Sequence, residues 1–159
     1  KKAIQQKLDN VAFLRTQIDK IAEYFAPGEV EEIWITFPDP QLRFSKAKKR
    51  LTHPKFLRLY QQFLAPGGCI HLKTDSPDLY RFTKTVIGLY GCPLLEDTDN
   101  VYAAEKVSNE LKIKTHYESL DIAGSNRIHY LRFSLPADLG NKEKDGILKE
   151  LLLNDEKSD

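Results

Sequence analysis

A chain of 159 residues is the size of one domain and long enough to bury a sizeable core, which argues against a second domain. Its 41% hydrophobic and 30% charged residues are those of a water-soluble globular fold, and no apolar run reaches the roughly 20 residues of a membrane span. A net charge of only +1 excludes attraction of a polyanion by the overall field, so affinity for nucleic acid has to come from cations clustered locally.

With no signal-like start, and with Cys69 and Cys92 at no metal-ligand spacing, the composition is that of a cytoplasmic protein with reduced core thiols. The sequence has no methionine and starts at Lys1, so it reads as the later part of something longer.

Residues 2–8 place Ile4 and Leu8 on one helical face, and Asp9-Asn10 ends that helix. Val11-Ala12-Phe13-Leu14 predicts a short buried strand. A helix is expected over about 17–25 with Ile18, Ile21, Ala22 and Phe25 inward, closed by Pro27-Gly28. The next strand, over 32–37, leads into Pro38-Asp39-Pro40. Each proline fixes its own φ, and Pro40 keeps Asp39 out of helical geometry, so a stiff turn presents one carboxylate at the carboxyl end of a strand. Arg43, Lys46, Lys48, Lys49 and Arg50 follow, a cationic run of the kind that suits phosphates.

A helix over about 53–64 buries Phe56, Leu57, Leu59, Tyr60 and Phe63, with Thr52 as its N-cap. Ala65-Pro66-Gly67-Gly68 stops it and turns the chain into a strand over 69–75 that also ends in an aspartate, Asp75. Ser76-Pro77-Asp78 starts a helix that runs to Tyr90-Gly91. Leu94-Leu95 starts a short strand, about 97–109 is polar and loop-like, and 128–135 is a strand by alternation. The fold domain is drawn over 1–136. The charged remainder, 137–159, forms a tail with a terminal helix carried by Ile147, Leu148, Leu151 and Leu152.

Alternating strands and helices of this length indicate an α/β fold with a mostly parallel sheet. In that arrangement Asp39 and Asp75 close neighbouring strands and face one crevice. A metal site there would want more carboxylate, histidine or cysteine than the loop offers, so no metal is expected. Hydrogen-bond acceptance from a base such as guanine, whose N1–H and amine form a donor pair, fits better. Trp34 is read as core, and His53 and His71 as structural.

Phe37-Pro38-Asp39-Pro40 with its basic loop, Lys49-Arg50-Leu51-Thr52-His53-Pro54-Lys55-Phe56, Pro66-Gly67-Gly68, Lys73-Thr74-Asp75 and Thr115-x-Tyr117-Glu118 together resemble the bacterial tRNA (guanine-N7-)-methyltransferase family. The resemblance runs from about Lys2 to Leu135. It implies a class I (Rossmann-like) methyltransferase fold with a C-terminal antiparallel strand and without its first strands. The family's glycine-rich cofactor loop and ribose-binding acid would precede Lys1.

The resemblance also implies S-adenosyl-L-methionine as methyl donor and guanine 46 of the tRNA variable loop as target, in a monomer or homodimer. It makes Asp39 the catalytic carboxylate and, with Gln17, a cofactor contact. Arg43 stands where the family usually has lysine, and with Asp75, Thr115, His116, Tyr117 and Glu118 it becomes a substrate contact. Lys46, Lys48, Lys49 and Arg50 become contacts to tRNA phosphates. The alternatives are a non-catalytic tRNA-binding module and a methyltransferase for another nucleobase or small molecule.

Overall fold

A computed structural model of the chain describes residues 2–120, 127–140 and 142–158. Four strands, β1 (Val30–Thr36), β2 (Leu64–Thr74), β3 (Leu94–Thr98) and β4 (His129–Ser134), form one sheet in the order β1-β2-β4-β3. β1 and β2 are parallel, and β4 is antiparallel to both β2 and β3. Three strands therefore point the same way and β4 alone is reversed. This is the expected mixed α/β sheet with its antiparallel strand near the C-terminus.

Alternation decides the two faces. Ile35 of β1, Ile70 and Leu72 of β2, and Leu131 and Phe133 of β4 point into one core. Three helices supply its other wall, α2 (Pro54–Tyr60), α3 (Pro77–Tyr90) and α6 (Lys142–Ser158), while α1 (Lys2–Gln5) and α4 (Asn109–Lys112) are single turns. Ser76 caps α3 by accepting from the Leu79 amide, and Gly91 ends it with a φ of 69°, a left-handed conformation that glycine adopts at little cost. On the opposite face a smaller cluster of Val101, Leu111, Ile128 and Tyr130 covers only the end of the sheet near Phe37.

Several expectations are corrected. Residues 11–14 form no strand. Phe13 is 86% exposed, and no described strand lies beyond β1 to pair with this segment. The helix expected over 17–25 is a 3-10 helix, Ile18–Glu23, although Ile18, Ile21, Ala22 and Phe25 do pack on the core. The N-cap of α2 is His53, whose Nδ1 accepts from the Lys55 amide. Thr52 is instead buried and shares a 2.7 Å hydrogen bond with Thr83.

Ala65-Pro66-Gly67-Gly68 does not precede β2 but bulges out of it. Val30 pairs with Leu64 and Glu32 with Cys69, so the extra residues leave the ladder. Trp34 is not core. It is 38% exposed and lies flat on His71. The charged C-terminal segment docks closely: Leu139 and Leu148 join the main core, and Asp145 pairs with Arg58 at 2.7 Å.

Candidate functional site

Because Thr36 lies opposite Lys73 in the parallel ladder, the chain leaving β1 and the chain leaving β2 emerge at the same sheet edge. The ladder continues one residue further, with the Phe37 amide donating to the Lys73 carbonyl at 2.8 Å. Phe37 then takes a φ of +49°, uncommon for a bulky residue, and swings the chain out of the sheet into Pro38-Asp39-Pro40. Asp39 Oδ1 accepts from the Gln41 amide at 3.0 Å, which closes a tight turn and leaves the carboxylate exposed.

Asp75, just past β2, accepts the Tyr117 hydroxyl at 3.1 Å. That bond, with the negative charge behind it, raises the tyrosine's pKa. The ring of Tyr117 packs on Phe37 with centroids 5.3 Å apart. One side chain thus spans both strand ends. Tyr117 links Phe37, where the chain turns toward Asp39, to Asp75.

Tyr117 is held there by a one-turn helix, α5 (His116–Ser119), closed by a capping box. The Thr115 hydroxyl accepts from the Glu118 amide, and the Glu118 carboxylate accepts from the Thr115 amide. Glu118 does not face the crevice. It pairs with Lys73 Nζ at 2.9 Å, both side chains only 3% exposed, and takes a further hydrogen bond from Tyr102. Burial pushes the Glu118 pKa up, but hydrogen bonds from Lys73 and Tyr102 outweigh it and hold the carboxyl below its usual range. Lys73 spends its remaining donors on the carbonyls of Leu111 and Ile113.

Sequence reasoning missed Lys73. The signal was present, a lysine within a buried strand, which the fold must neutralise. Of the other expected contacts, Thr115 is engaged as the cap, and His116 is exposed.

The basic run forms a 3-10 helix, Phe44–Lys49, anchored by buried Ala47. Arg43, Lys46, Lys48 and Lys49 are exposed and make no salt bridge among the described residues. Arg50 differs from them. It is 7% exposed, its Nε lies 3.1 and 3.2 Å from the carbonyls of Pro40 and Gln41, its Nη2 donates to that of Leu42 at 3.2 Å, and its guanidinium stacks over Phe82. Its fork is committed to the turn that carries Asp39, which corrects the expectation of a phosphate contact. Gln17 is exposed at the start of the first 3-10 helix, with no side-chain cap bond.

A twisted α/β sheet with carboxylates and a tyrosine at the carboxyl ends of adjacent parallel strands, flanked by unpaired cations, defines a Rossmann-like protein with its chemistry at the strand ends. A family model described as a putative methyltransferase matches residues 1–130, and the chain belongs to that family. Membership implies a methyl donor. The chain is 50% identical over 136 residues to a tRNA (guanine-N(7)-)-methyltransferase of Porphyromonas gingivalis, covering 85% of this chain and 55% of that protein.

Proteins of the same name from Bacteroides thetaiotaomicron and Bacteroides fragilis are each 43% identical, over 148 and 143 residues. These alignments cover 93% and 90% of this chain against 55% and 56% of the relatives. The chain therefore spans about half the length of the curated relatives it matches. No helix among the described residues is long and apolar enough to cross a membrane.

Proposed function

We propose that this chain carries the substrate-binding part of a cytoplasmic tRNA (guanine-N7-)-methyltransferase that modifies guanine 46 of the variable loop, acting as a monomer or homodimer. The observation that carries this reading is Tyr117 bridging Phe37 and Asp75 beside the Asp39 turn. Guanine N7 already holds an in-plane lone pair, so no base is needed to create the nucleophile. Catalysis then rests on alignment and on charge.

Tyr117 offers a face on which a displaced guanine stacks, and Asp75 accepts hydrogen bonds from its donor edge. The methylated base is cationic, so Asp39 stabilises charge as it develops. Arg43, Lys46, Lys48 and Lys49 hold phosphates on either side of the base. The donor is S-adenosyl-L-methionine, which supplies an electrophilic methyl group when bound. Gln17 and Asp39 are assigned to it only by resemblance, and Gln17 is exposed at the start of the first 3-10 helix with no side-chain cap bond.

The test is incubation of the full-length protein that carries this chain with unmodified tRNA and labelled S-adenosyl-L-methionine, followed by nucleoside analysis. N7-methylguanosine is expected, and Asp39→Asn should abolish it. Salt-sensitive tRNA binding without any N7-methylguanosine would overturn the reading in favour of a non-catalytic tRNA-binding module.

A further inference from the structure

The open part of the sheet face opposite the main core carries a cluster with no role in the chemistry above. Alternation along β2 puts Cys69 and His71 on that face, and the ladder sets Glu32 of β1 opposite Cys69. Cys69 Sγ lies 3.2 Å from His71 Nε2, and that nitrogen lies 3.4 Å from Glu32 Oε2. One ligand atom from each residue falls within 4.8 Å of the other two. We propose that Glu32, Cys69 and His71 form a binding site for a thiophilic divalent cation of the zinc type, which clamps edge strand β1 to β2.

The spacing is that of a coordination shell. Bonds of about 2.0–2.3 Å in a tetrahedral site put ligand atoms about 3.3–3.8 Å apart, and two of the three separations are already close to that. Closing the third requires movement only of Glu32, whose side chain is 53% exposed on the edge strand. Thiolate, imidazole and carboxylate together match zinc better than calcium or magnesium, which prefer oxygen.

The surroundings are arranged as a metal site needs. His71 Nδ1 lies 2.8 Å from the Tyr130 hydroxyl, which is bonded in turn to Glu96. With Nδ1–H donating to Tyr130, the lone pair of Nε2 points to the other two ligands. The indole of Trp34 lies flat on the imidazole, centroids 3.9 Å apart and planes 9° from parallel, while its Nε1 donates to Glu32 Oε2 at 3.0 Å. Ring and carboxylate are thereby both oriented.

The test uses the reduced, chelator-treated chain titrated with cobalt(II). The expected result is one equivalent bound, with a near-ultraviolet thiolate-to-cobalt band and the strong visible bands of tetrahedral coordination, displaced by zinc(II). Cys69→Ser should remove the thiolate band, and Glu32→Gln and Tyr130→Phe should each weaken binding about 10-fold or more. Cys92→Ser, on a residue packed in the main core, should change neither spectrum nor affinity.

Glu32 is exposed, so Glu32→Gln keeps the test decisive even where Cys69→Ser fails to fold. Binding with an unchanged spectrum and affinity in Glu32→Gln, or no saturable cobalt binding by the folded wild-type chain, overturns the proposal. The three groups would then be a hydrogen-bonded cluster and nothing more.

Discussion

Arg50 and Lys73 are cations that the fold turns inward, and each is matched to a different demand. The planar fork of Arg50 reaches three successive carbonyls of the turn after Asp39, which no ammonium can do. Arg50→Ala should therefore destabilise the chain by about 1–3 kcal/mol in urea unfolding, since it strips three part-buried carbonyls of a charged donor and removes the group stacked over Phe82. It should also speed proteolysis between residues 40 and 49, while Arg43→Ala changes neither. Lys73 is a point charge set between Glu118 and two carbonyls. Lys73→Met leaves Glu118 buried without its partner, at a cost of about 3–5 kcal/mol. Adding Glu118→Gln should recover part of that loss, and a double variant less stable than Lys73→Met would contradict this account.

At the scale of elements, the β1–β2 pair that delivers both aspartates depends on a close backbone approach at the bulge. A Cβ on Gly68 would lie 2.8 Å from the Glu31 carbonyl and 2.9 Å from that of Ala65. Gly68→Ala is expected to cost about 2–3 kcal/mol, measured by thermal unfolding, whereas Gly88→Ala in α3, where a Cβ meets open space, should be neutral or slightly stabilising.

The cap of α2 brings a pH dependence. Burial is the main cause that lowers the His53 pKa from 6.5 to about 4, and the nearby Lys48, Arg58 and Arg50 add to it against the opposing pull of Asp145. The folded chain thus binds fewer protons than the unfolded chain between those values. The associated stability is complete above pH 6.5, falls as pH drops toward 4, and changes no further below that. Allowing for the partial exposure of the ring, about 2 kcal/mol is at stake. Replacing His53 with asparagine, which caps without titrating, should flatten that slope in unfolding curves taken from pH 7 to pH 4.

Taken whole, the molecule balances its charge to +1 yet leaves Arg43, Lys46, Lys48 and Lys49 exposed together beside the strand ends. If these four cations contact tRNA phosphates, Arg43→Ala with Lys46→Ala should reduce the slope of log affinity against log salt by about 2. The length of chain after 136 also belongs to the molecule's core and not to a loose tail. Asp145 gathers Arg58 and Tyr90, and Leu148 of α6 is buried.

Sequence alone determined the order of the strands and longer helices from β1 onward, the Asp39 turn and the Ser76 and Gly91 ends of α3, because periodicity, proline and glycine act within a few residues of where they stand. It also placed the ends of β1 and β2, which lead to Asp39 and Asp75, at one edge of the sheet, because adjacent parallel strands run the same way. Tertiary structure decided everything that rests on register or on what lies opposite. Arg50 and Arg43 read alike in a cationic run, and only the carbonyls of the turn and the ring of Phe82 separate scaffold from surface. Glu118 read as a substrate contact until Lys73, distant in sequence, was found beside it. Cys69 and Cys92 fit no ligand spacing along the chain, and only the β1 ladder, by bringing Glu32 across from Cys69 beside His71, makes those three a set.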